Sequence, residues 1–265
     1  ENMSKTVLNS MFENLLHIGN KSNYWNPKMK SYIYGSVNGI HVIDLTKTSE
    51  KLEEVKAELK EIHESGKKIL FVATKLQARD AVSKMATESG HYYVAEKWVP
   101  GLLTNFKTIK KRISTYIKLS NDLENGAFDM LTKKEKAAKL LEHEKLDKAY
   151  AWVKDMKKMP DVIFVVDGIY EDQAVKEANS LKIKSFAILN TNGDDTLVDN
   201  CIPANTNAVK SIEFLVNELS TSLSGVAKKT SNTRVRKVDD KKVSGEKKAT
   251  RKPAAKKAPA KTEEK

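Results

Sequence analysis

A single cysteine, Cys201, stands in 265 residues. No internal disulfide and no CxxC pair can form, so thiolate zinc sites are excluded, and a reducing, cytoplasmic setting is expected. No apolar run approaches the roughly 20 residues of a membrane span. Glu1 to Asn9 lack the basic-then-apolar order of a secretory leader. Glycine-rich phosphate loops are missing too. The turn after Leu45 reads Thr46-Lys47-Thr48 and the turn after Ala73 reads Thr74-Lys75-Leu76. Neither is a dinucleotide fingerprint or a P-loop. There is no G-x-S-x-G elbow and no H-E-x-x-H helix. The five histidines, His17, His41, His63, His91 and His143, show no metal-ligand spacing.

What is present is a core and a very polar surface: 40% hydrophobic residues, 31% charged, mean hydropathy -0.52. The net charge of +12 is unevenly placed. Residues 228–265 hold 15 Lys/Arg and 5 Asp/Glu, which leaves 32 and 30 of the chain's 47 and 35 for residues 1–227. The folded part is therefore nearly neutral, and any nucleic-acid face on it must come from local clustering. The Lys/Ala/Pro-rich segment 227–265 has too little apolar content to offset chain entropy and is expected to be disordered. It reads equally as a polyanion-seeking tail or as a solubilising extension.

The body alternates strands and helices. Ser31–Val37 and Ile40–Leu45 flank Asn38-Gly39, a two-residue hairpin signal. Leu52, Val55, Leu59 and Ile62 recur at helical spacing up to Gly66. Lys68–Ala73 and Val162–Val166 are buried-type strands, with helix Leu76–Glu88 and a short strand His91–Val94 between them. Helix Asp172–Leu181, strand Ser185–Leu189, a short strand Asn200–Ile202 and helix Asn207–Leu223 complete the set. Near-continuous apolar strands separated by amphipathic helices predict an α/β fold, a parallel sheet with helices on both faces.

Residues 102–159 break the rhythm and predict two long antiparallel helices, a hairpin projecting from a body made of 1–101 and 160–226. Its seam is expected from Leu102, Leu103, Phe106, Ile109, Ile113, Tyr116 and Ile117 on the first helix. The second helix offers Ala138, Leu141, Leu146, Ala149, Tyr150, Val153 and Met156. Thr132 with Glu135 has the capping-box pattern.

Asp44 and Asp167 end strands, where α/β enzymes keep active sites. A strand-end Asp more often caps the next helix, and that reading is preferred here. His17 is placed near Asp167, as a satisfied buried histidine rather than a catalytic one.

Two clusters suit RNA. Lys21-Ser22-Asn23-Tyr24-Trp25-Asn26-Pro27-Lys28-Met29-Lys30 interleaves cations with flat groups. Its lysines can meet phosphates, and Tyr24 and Trp25 can stack on bases or sugars. The plainer alternative is core aromatics with rim lysines; Tyr32 is assigned to the core, Lys28 and Lys30 to contact. On the first arm helix, Lys107, Lys110, Lys111 and Lys118, with Arg112 beside them, face away from the apolar seam. Thr104 and Asn105 sit at its start, where free amides attract anions. A basic stripe can track phosphates; an ordinary solvated helix face is the alternative.

Ten segments in order, from about Asn14 to Leu219, together resemble one family. They are His17-Ile18-Gly19; Trp25 to Met29; Asn38 to Leu45 with Lys47-Thr48; Ile69 to Lys75; Trp98 with Leu103 to Ile109; Leu131 to Glu135; Lys154-Asp155-Met156; Asp161 to Asp167; Lys176 to Asn179; and Phe186-Ala187-Ile188 with Thr191-Asn192. The chain resembles the bacterial-type small-subunit ribosomal protein two family. The resemblance implies a Rossmann-like (flavodoxin-like) domain with an inserted antiparallel coiled-coil hairpin. It implies binding to small-subunit ribosomal RNA near the junction of head and body, and neighbours among the other small-subunit ribosomal proteins, in many bacteria including the large mRNA-binding protein one. Lys75 and Arg79 join the expected RNA contacts. A non-enzymatic ribosomal protein is expected, with no cofactor, no membrane partner and no homo-oligomer.

The chain departs from the family where Asn20, Asn190 and Asn207 stand in place of a histidine and acidic groups, so a cation site available to relatives has lost its ligands and no metal is expected. Pro100 replaces a usual glycine, Phe106 a usual tryptophan and Lys184 a usual proline. Two other functions remain in view. An α/β enzyme would use the strand ends at Asp44 and Asp167, and a DNA-compacting protein would depend on residues 228–265.

Overall fold

The computed structural model describes residues 2–225. The expectation of a disordered tail at 227–265 lies outside the described residues. Helix α1 (Asn2–Glu13) and strand β1 (Ile18–Lys21) come first, ahead of the first element expected from sequence. Strands β2 (Ile33–Val37) and β3 (Ile40–Ile43) form the expected hairpin. Asn38 and Gly39 both have positive φ, 51° and 75°, as a type I′ turn requires. β1 pairs with the other side of β3, giving a small antiparallel sheet in the order β1-β3-β2. Asp44 then caps helix α2 (Leu45–Glu64), its carboxylate accepting from Thr46 N at 3.0 Å. The capping role expected for Asp44 is the observed one.

The main sheet is parallel throughout: β4 (Ile69–Val72), β5 (Tyr92–Val94), β6 (Val162–Val166), β7 (Lys184–Leu189) and β8 (Asn200–Pro203), in the order β5-β4-β6-β7-β8. Counted by appearance this is the flavodoxin-like order. The later helices are α3 (Leu76–Ser89), α4 (Phe106–Glu124), α5 (Lys133–Tyr150), α6 (Asp172–Ser180) and α7 (Val209–Ser222).

Strand residues alternate between two cores, as period-2 side chains must. Ile69, Phe71, Phe164, Phe186 and Ile188 pack with Leu52, Leu59, Val82, Ile212 and Leu215 of α2, α3 and α7. Leu70, Val72, Ile163, Val165 and Ala187 pack with Ala174 and Ala178 of α6 and with the roots of α4 and α5. With every residue of β4 and β6 buried, these strands have no polar face to present, hence the unbroken apolar runs in sequence.

The arm differs from its expected outline. α4 starts at Phe106, not Leu102; Leu102 and Leu103 are turn residues buried in the body's second core. α5 ends at Tyr150, and Val153, in the turn that follows, and Met156, just past it, are likewise buried in that core. Ile109, Ile113, Tyr116 and Leu119 form the buried side of α4, while Ile117 is exposed. On α5, Ala138 and Leu141 are exposed and do not join the seam. The outer half of α5 is held instead by its N-terminal cap and by polar contacts. Thr132 and Glu135 make the reciprocal capping box, and Ser120 Oγ lies 2.9 Å from His143 Nε2.

Candidate nucleic-acid interface

The arm is rooted on one carboxylate. Glu177 lies on the side of α6 that carries Ala174 and Ala178 and is only 4% exposed. Its Oε1 accepts from Trp98 Nε1 at 3.0 Å and from Gly101 N at 2.8 Å. Its Oε2 accepts from Leu103 N at 3.1 Å and from Thr104 N at 3.2 Å. Burial pushes this carboxyl's pKa up, but the hydrogen bonds outweigh it and hold it below the ordinary value. The amides expected to be free at the start of α4 are therefore taken. Those of Leu103 and Thr104 serve Glu177, and Asn105 N donates to Gly101 O at 2.7 Å. The anion that the head of this helix attracts is the protein's own.

Beyond that root, Lys107, Lys110, Lys111, Arg112 and Lys118 are all exposed. Ile109, Ile113, Tyr116 and Leu119 take the inward side, so Lys107, Lys111 and Lys118, spaced by one and then two helical turns, line the outward one. None of these cations has an acidic partner among the described residues.

The second cluster sits where the small sheet meets the loop after β7. Asn26 N donates to Thr191 O at 2.9 Å, and Asn26 Oδ1 caps a 3-10 turn by accepting from Lys28 N. Asn26 is thus a structural residue. Tyr24 is exposed, and the half-exposed Trp25 lies at 5.4 Å from the His41 ring. Lys21 and Lys30 are exposed. Lys28 is held by Asp194 at 2.7 Å and Thr196 at 3.2 Å, so a phosphate would have to compete for it. Tyr32, assigned to the core, is partly buried, and its hydroxyl donates to Asp195 at 3.2 Å.

The switch point of the main sheet, between the C-terminal ends of β4 and β6, is where α/β folds of this order bind ligands. Here it is filled from within. Lys75 is 9% exposed, and its ammonium reaches Asp167 Oδ2 at 2.6 Å, Asn207 Oδ1 at 2.9 Å and Thr206 O at 3.1 Å. Three donors meet three acceptors. Asp167, at φ 72°, also accepts from its own loop at Ile169 N and Tyr170 N, and from Thr206 Oγ1. Beside it, Glu171 accepts from Thr74 N at 2.8 Å, and burial raises its pKa. Lys75 is therefore not a surface cation, because β6 supplies its counter-charge. Arg79, one turn into α3, is half-buried, and its Nε has no partner among the described residues.

His17 is not the satisfied histidine of the sequence reading. It stacks on Phe12 with centroids 4.2 Å apart, and its buried Nδ1 has no partner among the described residues. Asp167 meets Lys75 and Thr206 instead. Two of the three asparagines have a side-chain oxygen bonded within the fold, and the third, Asn20, is bonded through its main chain. Asn20 N donates to Thr191 Oγ1, Asn190 Oδ1 accepts from Thr191 N, and Asn207 Oδ1 accepts from Lys75. Among the described residues no three His, Cys, Asp or Glu are grouped so as to hold a metal ion.

Glu177 and Asp194 were not singled out in sequence. The available signal for Glu177 was a charge on the small-residue face of an amphipathic helix. Asp194 had none, since its partner Lys28 is 166 residues away.

A family model described as ribosomal protein S2 matches residues 11–225. The small ribosomal subunit protein uS2 of Fusobacterium nucleatum is 43% identical over 222 residues, 83% of this chain and 90% of that protein. Its counterpart in Coprothermobacter proteolyticus is 41% identical over 221 residues, 83% and 82% of the two chains. That of Vibrio cholerae is 40% identical over 215 residues, 81% and 89%. The match takes in both cores, the arm and its Glu177 root, and on it this chain belongs to the ribosomal protein S2 family.

Proposed function

We propose that this chain is a structural constituent of the small ribosomal subunit, where it binds small-subunit ribosomal RNA and adjoining ribosomal proteins in support of translation. The observation that carries the reading is the row of exposed cations on α4, without acidic partners among the described residues, on a helix whose root is fixed to the body through Glu177. A charged row on a rigid support can follow a phosphate backbone without first ordering the main chain that carries it. The exposed Tyr24, Trp25, Lys21 and Lys30 supply a second patch of cations and flat rings suited to splayed bases or sugars. The finer part of the reading is a single copy per particle, near the junction of head and body, with the mRNA-binding protein one among its neighbours.

A structural rather than catalytic role is supported by the switch point, whose one lysine has all its donors engaged inside the fold. Sucrose-gradient sedimentation of a lysate tests the proposal. The chain should travel with small subunits, and a chain confined to the top fractions would sink it. Deleting residues 228–265 should leave that association in place; its loss would favour the tail-driven DNA-compacting alternative.

A further inference from the structure

An open cavity of about 600 Å³ lies between α3, the loop from β5 to α4, and α5. Arg79, Lys97, Lys145 and Lys148 line it, against one acid, Glu96. Its apolar wall comes from Trp98, Pro100 and Ala149. Of the cations, Lys148 is held by Glu144 at 2.8 Å. Lys97 and Lys145 are exposed with no acidic partner among the described residues, and the Nε of Arg79 is buried with none.

From this we infer that the cavity takes one extruded nucleotide of the small-subunit RNA, its base against the apolar wall and its flanking phosphates on Arg79, Lys97 and Lys145. The inference rests on the RNA-binding reading above and goes beyond the α4 stripe, which can meet only backbone. Three observations favour a nucleotide. The volume falls within the range of about 300–1,000 Å³ typical of sites that enclose a small flat ligand. The free cations stand on three separate elements around the apolar wall, which suits a group carrying phosphate on either side of a planar ring. Arg79 has the planar fork that pairs with phosphate while lying over a ring. An acidic peptide would bring charge without the flat apolar body that the wall between the cations fits.

The test uses the full chain in assembled particles, with Glu96, an exposed residue of the cavity rim, replaced by the photoreactive p-benzoylphenylalanine. Irradiation should join the chain to one or two adjacent nucleotides of small-subunit RNA. The added pair Lys97→Gln and Lys145→Gln, both at exposed positions and so harmless to the fold, should cut that yield about tenfold, the effect expected of two solvent-exposed ion pairs. A cross-link to a neighbouring protein would overturn the inference and assign the groove to a peptide. Particles that contain the chain but give no cross-link would overturn it and leave the RNA-scaffold reading intact. A chain absent from the particles would overturn both.

Discussion

Trp98 and Glu177 are joined by an indole-to-carboxylate hydrogen bond of 3.0 Å that ties the loop before the arm to helix α6. The same carboxylate gathers the amides of Gly101, Leu103 and Thr104. Replacing Glu177 with Ala strands several buried donors at once, so the expected loss is about 3 kcal/mol by urea denaturation. Glu177→Gln turns an amide NH₂ toward donors and should cost roughly 1–2 kcal/mol. Because the folded carboxyl is held below its ordinary value of 4.5, its contribution is full above that pH and fades as pH falls through the folded pKa. Wild type should therefore lose more stability than Glu177→Ala on moving from pH 6 into acid, and parallel pH profiles would remove Glu177 from this role.

The Lys75–Asp167 pair, 2.6 Å apart and buried, predicts a strongly coupled mutant cycle. Lys75→Met leaves Asp167 uncompensated and should cost about 3–5 kcal/mol. Asp167→Asn should cost less, because an amide oxygen can still accept from the Ile169 and Tyr170 amides. The double variant should be more stable than the sum of the two losses predicts, by about 1 kcal/mol or more. Additive losses in urea would mean that the two charges do not act together.

His63 and His91 form a buried chain whose tautomers follow from geometry. Ile69 N donates to His91 Nδ1 at 3.2 Å, so the His91 proton sits on Nε2, which faces His63 Nδ1 at 2.8 Å. Burial first, then the neighbouring His63 and Lys68, push the His91 pKa from 6.5 down to about 3. The unfolded chain binds a proton there that the folded chain refuses. Stability should therefore fall as pH drops from about 6.5 toward 3, by roughly 1.4 kcal/mol per unit from this group. In His91→Gln the slope over that window should flatten. Nitrogen-15 NMR should find the Nε2–H form of His91 at neutral pH.

How much of this was legible in the sequence depends on whether the cause was local. The Asn38-Gly39 turn, the Asp44 cap and the Thr132/Glu135 capping box are set by neighbours a few positions apart, and all three form as read. The strands of the main sheet were legible because both of their faces are buried. Lys75 was not. A lysine beside a threonine reads as surface, and only β6, 92 residues on, supplies the aspartate that draws it inward. The arm was read too long at both ends because Leu102, Val153 and Met156 continue an apolar period, yet they serve the body's core rather than the helix seam. The exposed placement of the α4 cations was legible from their spacing, while Lys97 and Lys145 belong to no stripe and line one cavity only through folding.

The salt dependence of RNA binding should report the arm directly. Neutralising Lys107, Lys110 and Lys111 to Gln should reduce the slope of log affinity against log salt by about 0.9 for each duplex phosphate that the arm no longer neutralises. The measurement is filter binding of small-subunit RNA across a salt series. An unchanged slope would return these lysines to ordinary solvated surface. The same triple variant should keep the urea midpoint of wild type, since none of the three side chains is buried.

Strands β4 and β6 lie side by side, yet the Lys68 amide and the Asp161 carboxylate that meet at their start are 93 positions apart. Seen as a polymer, much of that interval is one long loop closed at its base. Loop closure grows only with the logarithm of length, each doubling costing about 0.6 kcal/mol. The reach of α4 and α5 is thus almost decoupled from the equilibrium stability of the sheet. What the insertion does burden is the search: a central parallel pairing this distant in sequence has to wait for a rare encounter. A longer or shorter arm would chiefly change how fast the body closes, and hardly how firmly it stays closed.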